Sequence, residues 1–160
     1  MALSFRGEFT QRVDGKGRMS IPADFRRVLE HGDSRYPENP LPRVVVLYGP
    51  HLKNFLQAYT IEAMAEIEAQ IDALPRGSRE RRIASKNILG RSWETEVEKD
   101  GRIVLPKARR DQIGLEGEAH MIAMGDHFEI WNAATFDRVE AEADDLPDDF
   151  DPLSLLGGGS

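Results

Sequence analysis

Early in the chain, apolar and polar residues alternate. Phe5, Gly7, Phe9, Gln11 and Val13 fall on one side and Arg6, Glu8, Thr10 and Arg12 on the other, the period of a half-buried strand whose polar face carries two arginines. Asp14-Gly15-Lys16-Gly17 interrupts the alternation with two glycines able to take positive φ, and Arg18 to Ile21 returns as a second short strand, so the spacing predicts a hairpin. Pro22 suits the first position of a helix, where no amide hydrogen is needed, and Phe25, Val28 and Leu29 recur at helical spacing before Gly32. A loop rich in Pro, Asp, Asn and Gly over 31–42 leads into Val44-Val45-Val46-Leu47-Tyr48, a continuous apolar run that reads as a buried strand closed by Gly49-Pro50.

Over 52–74 the apolar positions Leu52, Phe55, Leu56, Tyr59, Met64, Ile67, Ile71 and Leu74 predict one side of a long helix, with an interruption near Thr60 and Ile61. Pro75-Arg76-Gly77 ends it. Ser78 is placed to cap a second helix, in which Ile83, Ala84, Asn87 and Ile88 make a narrow stripe beside Arg79, Arg81, Arg82 and Lys86, and Gly90 suits its end. Trp93 to Val97 then answers the first strand, and a short helix opens at Pro106 and stops at Ile113-Gly114. Met121-Ile122-Ala123-Met124 and Phe128-Glu129-Ile130-Trp131 flank a Gly125-Asp126 turn, predicting a hairpin whose second arm corresponds to 45–48. Phe136 and Val139 begin a last helix, and beyond Ala143 the acidic run over 144–152 and the closing Gly-Gly-Gly-Ser read as a disordered acidic tail.

One stretch occurs twice. Val13-Asp14-Gly15-Lys16-Gly17-Arg18-Met19-Ser20-Ile21-Pro22 is answered by Val97-Glu98-Lys99-Asp100-Gly101-Arg102-Ile103-Val104-Leu105-Pro106, with Gly, Arg, the apolar positions and Pro in the same order. Such a duplication predicts a pseudo-twofold body of α+β class, mainly β. It divides the chain into repeat 1 over 8–51, a helical connector over 52–90, repeat 2 over 91–137 and a helix end with acidic tail over 138–160.

Composition narrows the chemistry. A chain of 160 residues with 40% hydrophobics can bury one sizeable core or two small dependent ones. The absence of cysteine excludes disulfides, thiolate metal sites and thiol nucleophiles and suits a reducing compartment. The four histidines are scattered, and His120 and His127 lack zinc-like spacing, so no metal site is expected. The first residues do not read as a signal peptide, and no apolar run approaches the roughly 20 residues of a membrane span, so a soluble cytoplasmic protein is expected. A net charge of -7 argues against a nonspecific polyanion binder. The charge is uneven, however: Arg6, Arg12, Lys16, Arg18, Arg26 and Arg27 enrich the first segment, and acid gathers over 137–151.

Each repeat sets an arginine directly after a glycine turn, Arg18 and Arg102. A guanidinium projecting from a rigid hairpin suits bidentate contact with guanine O6 and N7, and a β ribbon can enter the major groove. The acid four residues earlier, Asp14 or Glu98, can accept from turn amides or hold the arginine's rotamer. The alternative is that acid and arginine only staple their own turn. Gly15-Lys16-Gly17-Arg18 lacks the spacing of a phosphate loop. The arginines over 76–91 are either a phosphate-binding face or a solvated helix surface. Trp131, Tyr48, Phe128, Met121 and Met124 read as core rather than a base-stacking platform.

Taken together, Phe5-Arg6-Gly7, the Asp14-x-x-x-Arg18 hairpin with Pro22, the arginine-rich helix ending in Leu89-Gly90, Gly101-Arg102-Ile103-Val104-Leu105-Pro106 and Phe128-Glu129-Ile130-Trp131 resemble the MraZ family from residue 5 to about 140. The resemblance implies two tandem SpoVT-AbrB domains in a swapped-hairpin barrel. It also implies a repressor that binds direct repeats in double-stranded DNA upstream of its own gene, in the division and cell-wall cluster, as a ring-like homo-oligomer. The DNA-contacting arginine of the family carries over to Arg18 and Arg102, with Lys16 beside Arg18, and the supporting turn to Asp14, Gly15, Gly17, Glu98 and Gly101. Glu98 departs from the usual Asp, which favours Arg18 as the firmer contact. No cofactor, membrane partner or small-molecule substrate is implied, and the setting is cytoplasmic and nucleoid-associated. A ring would let several weak readers act together, raising avidity by about 10²–10⁴. The rival reading is an antitoxin-like interaction module whose long helix and acidic tail dock another protein. For an enzyme the chain offers little: the acid pairs Asp144-Asp145 and Asp148-Asp149 have no flanking core, so no catalytic residue is assigned.

Overall fold

The computed structural model describes residues 3–142 and 146–157. The alternating first segment forms β1 (Glu8–Arg12) and β2 (Arg18–Ser20), followed by helix α1 (Ala23–His31) and β3 (Arg43–Leu47). Pro22 caps α1 rather than beginning it: its ψ of 143° prolongs the extended strand, and the helix starts one residue later.

The expected long helix over 52–74 is not formed. Phe55–Tyr59 is a strand, β4, paired with β3 in the register Val46↔Ala58, and only Ile61–Asp72 is helical, as α2. Leu56 and Ala58 are fully buried while Phe55 and Gln57 are partly exposed, so the period here is two residues. Thr60 marks the change, its hydroxyl accepting from the Ala63 amide at 3.0 Å as the helix cap. Ser78 caps α3 (Arg79–Ala84) in the same way, and that helix runs on as a π turn, Ser85–Leu89, to Gly90.

The second half repeats the first with β5 (Ser92–Glu96), β6 (Arg102–Val104), α4 (Lys107–Gln112), β7 (Glu118–Ala123), β8 (His127–Asn132) and α5 (Ala133–Glu142). All strand pairs are antiparallel. One sheet runs β1-β7-β8-β4-β3-β5 and a separate ribbon pairs β2 with β6. Each half therefore lends its first strand to the other: β1 lies on β7 with Thr10 opposite His120, and β5 lies on β3 with Glu94 opposite Val45. The β3–β4 hairpin matches the β7–β8 hairpin, so the counterpart of 45–48 is β7; Phe128 to Trp131 answers β4, against which it pairs through Leu56↔Ile130. The large sheet ends at β1 and β5, and no closed barrel is found among the described residues.

The sheet's inner face, α1 and the ribbon's underside share one core. Phe25 is its centre, with Phe5 and Phe9 edge-on at 5.4 and 5.2 Å and Phe128 at 4.7 Å. On the other face Val45, Leu47, Leu52 and Tyr59 meet Met64 of α2. Strand β3 is thus covered on both sides, which accounts for its unbroken run of valines. The expected disordered tail carries a short 3₁₀ turn, Pro152–Leu155, capped by Asp151 at 2.9 Å; Asp144 and Asp145, and residues 158–160, lie outside the described residues.

Candidate nucleic-acid interface

After Val13 and Val97 each chain segment leaves the large sheet. The Val13 amide makes a last bond to Gly117 O and the Val97 amide to Pro42 O, both at 2.8 Å, and the two repeated turns follow. The returning strands β2 and β6 then meet each other, with Arg18 opposite Val104, Met19 opposite Ile103 and Ser20 opposite Arg102. Met19 and Ile103 are fully buried. Because side chains alternate across a strand, Arg18, Ser20, Arg102 and Val104 share the outward face. The two arginines are diagonal neighbours there, about 7–8 Å apart at the backbone.

Turn 1 is built by one carboxylate. Asp14 Oδ1 accepts from the Lys16 and Arg18 amides at 2.9 and 3.0 Å, and Oδ2 accepts from Arg18 Nε at 2.6 Å. The Arg18 amide first, and then its guanidinium, lower the Asp14 carboxyl from 3.8 to about 2, so it is ionised wherever the protein is folded at ordinary pH. The guanidinium keeps its terminal nitrogens outside this bond, on a side chain that is 44% exposed. Lys16 is exposed beside it.

Turn 2 has the same backbone and a different carboxylate. Glu98 closes it through main-chain bonds, its amide to Arg102 O at 2.9 Å and its carbonyl from the Gly101 amide at 2.8 Å. Asp100, two residues before Arg102, accepts from the Arg102 amide at 3.2 Å and holds Arg102 Nε at 3.0 Å. The expected Glu98 grip on Arg102 is therefore supplied by Asp100. Asp100 occupies the position of Lys16 in the repeat, so Asp14, Lys16 and Arg18 leave turn 1 with one net positive charge while Glu98, Lys99, Asp100 and Arg102 cancel.

Gly17 and Gly101 take φ values of 85° and 82°, whereas Gly15 takes none in the positive region and has open space where a Cβ would stand. Two arginines that the sequence reading did not single out as turn supports lie under these glycines. A Cβ on Gly101 would stand 2.6 Å from Arg26 Nη1 of the other repeat's helix, and one on Gly17 would stand 2.8 Å from Arg110 Nε and against the Leu105 carbonyl. Arg110 Nε donates to Leu105 O at 3.0 Å. Leu105 N to Gly17 O and Ile21 N to Gly101 O, both 2.8 Å, tie each turn to the other repeat. Arg26 and Arg110 each follow the repeated proline by four residues, a periodicity that could have identified them.

The remaining candidates divide. Arg81 is a brace at the α2–α3 corner, donating to Leu74 O at 3.1 Å and Asp72 O at 3.3 Å, while Arg76, Arg79, Arg82 and Lys86 are exposed. Phe128, Met121 and Trp131 are core; Tyr48 is covered by the Arg109 guanidinium at 3.7 Å, and Met124 is 47% exposed. Asp33, in the loop after α1, is a buried acid the pattern did not reveal. It accepts from the Arg35 amide and from Arg43 through the amide, Nε and Nη2 at 2.7–3.0 Å, and the Arg43 guanidinium holds it at about 2. Among the described residues no helix is long and apolar enough to cross a membrane.

A family model described as "MraZ protein, putative antitoxin-like" matches residues 88–151, which include the second turn and the β7–β8 hairpin. Similarity extends further among whole chains. A protein of Ruegeria pomeroyi named transcriptional regulator MraZ is 51% identical over 99% of this chain and 98% of its own. Proteins of the same name from Cereibacter sphaeroides and Leuconostoc mesenteroides are 40% and 30% identical, over 98% and 94% of this chain and 97% and 94% of theirs. With relatives this similar matched from end to end, and with both repeated turns inside the matched region, the chain belongs to the MraZ family.

Proposed function

We propose that the chain is a transcriptional regulator that reads double-stranded DNA with the β2–β6 ribbon. The observation that carries this is the placement of Arg18 and Arg102 on one outward ribbon face, each held at Nε by an aspartate that leaves its terminal nitrogens outside that bond on a partly exposed side chain. Two strands of three residues each fit the roughly 12 Å width of a major groove, and each arginine has the fork that pairs with a guanine edge. Turn 1, with its surplus positive charge and Lys16 for a phosphate, is the stronger reader.

The finer reading follows the family resemblance. The two repeats act as interlaced SpoVT-AbrB units of swapped-hairpin type, supported by the exchange of β1 and β5 between halves; the first takes in β4 (Phe55–Tyr59), the counterpart of β8, so the connector is the helical stretch that follows Thr60, and 138–160 is the tail. Several chains assemble as a ring on direct repeats upstream of the chain's own gene, and repress the division and cell-wall cluster, in the cytoplasm at the nucleoid. Binding needs no cofactor, and the site is a reader rather than a catalyst.

The test is a fluorescence-anisotropy titration against the DNA upstream of the gene and a scrambled duplex at several salt concentrations. Wild type prefers the upstream DNA with a slope of several phosphates, Arg18→Ala loses that preference while melting and eluting as wild type, and Arg102→Ala loses less. Equal binding to both duplexes sinks the proposal. One feature favours the antitoxin-like alternative: Leu153, Leu155 and Leu156 of the tail are about 69–75% exposed, which suits a protein partner. A stoichiometric partner that co-purifies and is lost on deleting 146–160 supports that reading.

A further inference from the structure

We propose that Val104 is a thymine-methyl reader, paired with Arg18 to recognise a guanine and a neighbouring thymine as one unit. The inference rests on the ribbon entering the major groove as set out above and adds the ligand of a residue that so far has none.

Val104 is an apolar side chain where the fold has no use for one. Its strand neighbours Ile103 and Leu105 are fully buried, while Val104 itself is 38% exposed on the ribbon's outer face. The register puts it directly opposite Arg18, and such pairs have Cβ atoms about 4.5–5.5 Å apart, comparable to the spacing between adjacent groove-edge groups. Thymine is distinguished in the major groove by its C5-methyl, which is recognised by apolar contact, while guanine offers the acceptor pair that an arginine fork fits. A branched aliphatic group beside a fixed guanidinium therefore matches a guanine next to a thymine.

The repeat argues for the same assignment by contrast. The residue equivalent to Val104 is Ser20, which lies opposite Arg102. A hydroxyl accepts or donates and so tolerates several bases. The two ends of the ribbon therefore carry different instructions, arginine with valine at one and arginine with serine at the other. A pseudo-twofold reader with unlike ends has a direction on DNA.

The probe is the upstream duplex with each thymine replaced in turn by deoxyuridine, which removes only the methyl. Wild type weakens about fourfold at one thymine adjacent to a guanine, the loss expected from one methyl group no longer taken out of water. Val104→Ala binds the thymine duplex at that weaker level and gains nothing from the methyl, whereas Val104→Ile keeps the discrimination. Arg18→Ala loses the guanine preference. The inference is overturned if Val104→Ala retains the full thymine-over-uracil preference, if wild type ignores every methyl while still preferring the upstream DNA, or if Val104→Ala changes the size of the assembly by light scattering. Failure to prefer the upstream DNA at all defeats instead the underlying proposal of a sequence reader, so the two failures are separable.

Discussion

Asp14 grips Arg18 twice, accepting from its amide at 3.0 Å and from its Nε at 2.6 Å, so one carboxylate shapes the turn and aims the side chain. The two roles make opposite predictions about DNA. If charge alone governed binding, Asp14→Ala would strengthen it by removing a negative group beside the phosphates. If orientation governs, specific binding falls about tenfold, the scale of a lost hydrogen bond to a charged group, while binding to scrambled DNA rises. Anisotropy titrations of both duplexes measure the two effects separately.

Asp100 lies in turn 2 where turn 1 has Lys16, but it also holds Arg102, so making turn 2 a copy of turn 1 takes two changes, Glu98→Asp to take over the hold and Asp100→Lys to add the charge. The double variant is expected to tighten binding and to steepen the logarithmic salt dependence by about one to two phosphates, whereas Asp100→Lys alone steepens the slope and loses specific binding. A salt slope equal to that of wild type would place turn 2 away from the backbone.

The glycines of turn 1 are unequal. Gly17 has positive φ and lies against Leu105 O and Arg110, so Gly17→Ala should lower stability by about 1–3 kcal/mol and move β2 against β6. Gly15 meets nothing, and Gly15→Ala should stay within about 0.5 kcal/mol of wild type in thermal or urea unfolding. Gly101→Ala should resemble Gly17→Ala, because Arg26 fills the space beside it.

The Asp33–Arg43 pair sets an acid limit on the fold. The Asp33 carboxyl is 3% exposed and is lowered from 3.8 to about 2, so the unfolded chain takes up its proton first as pH falls. The pair's contribution is complete above about pH 4 and is lost as pH drops through about 2. Asp33→Asn strands Arg43 partly buried and should cost about 3 kcal/mol at neutral pH, with a shallower decline in stability between pH 4 and 2. Urea melts across that range give both numbers.

Much of this was legible in the chain itself. Duplication of the glycine–arginine turn located both candidate reading residues, and period-two alternation located β1, while the valine run located β3. What was misread has physical causes. Phe55, Leu56 and Tyr59 fit helical spacing while Leu56 and Ala58 fit strand alternation, and only pairing with β3 and β8 decides between them. The hold on Arg102 was assigned to Glu98 by analogy with Asp14, yet the shorter reach from Asp100 wins. Arg26 reads only as part of the basic first segment and nothing local marks Arg110, because the partner of each, the other repeat's turn, is more than 70 residues away in sequence. Asp33 sat in a segment whose composition announced only a loop.

The exchange of first strands between halves has a consequence for how the protein comes into being. Thr10 waits for His120 and Arg18 for Val104, so the sheet and the ribbon are dominated by contacts of high sequence separation, the class that closes late and slowly in folding. A chain emerging from the ribosome carries Arg18 long before β6 exists to brace it. Neither a nascent chain nor a fragment ending before residue 104 possesses a ribbon, and so only a completed molecule can present the proposed reading face.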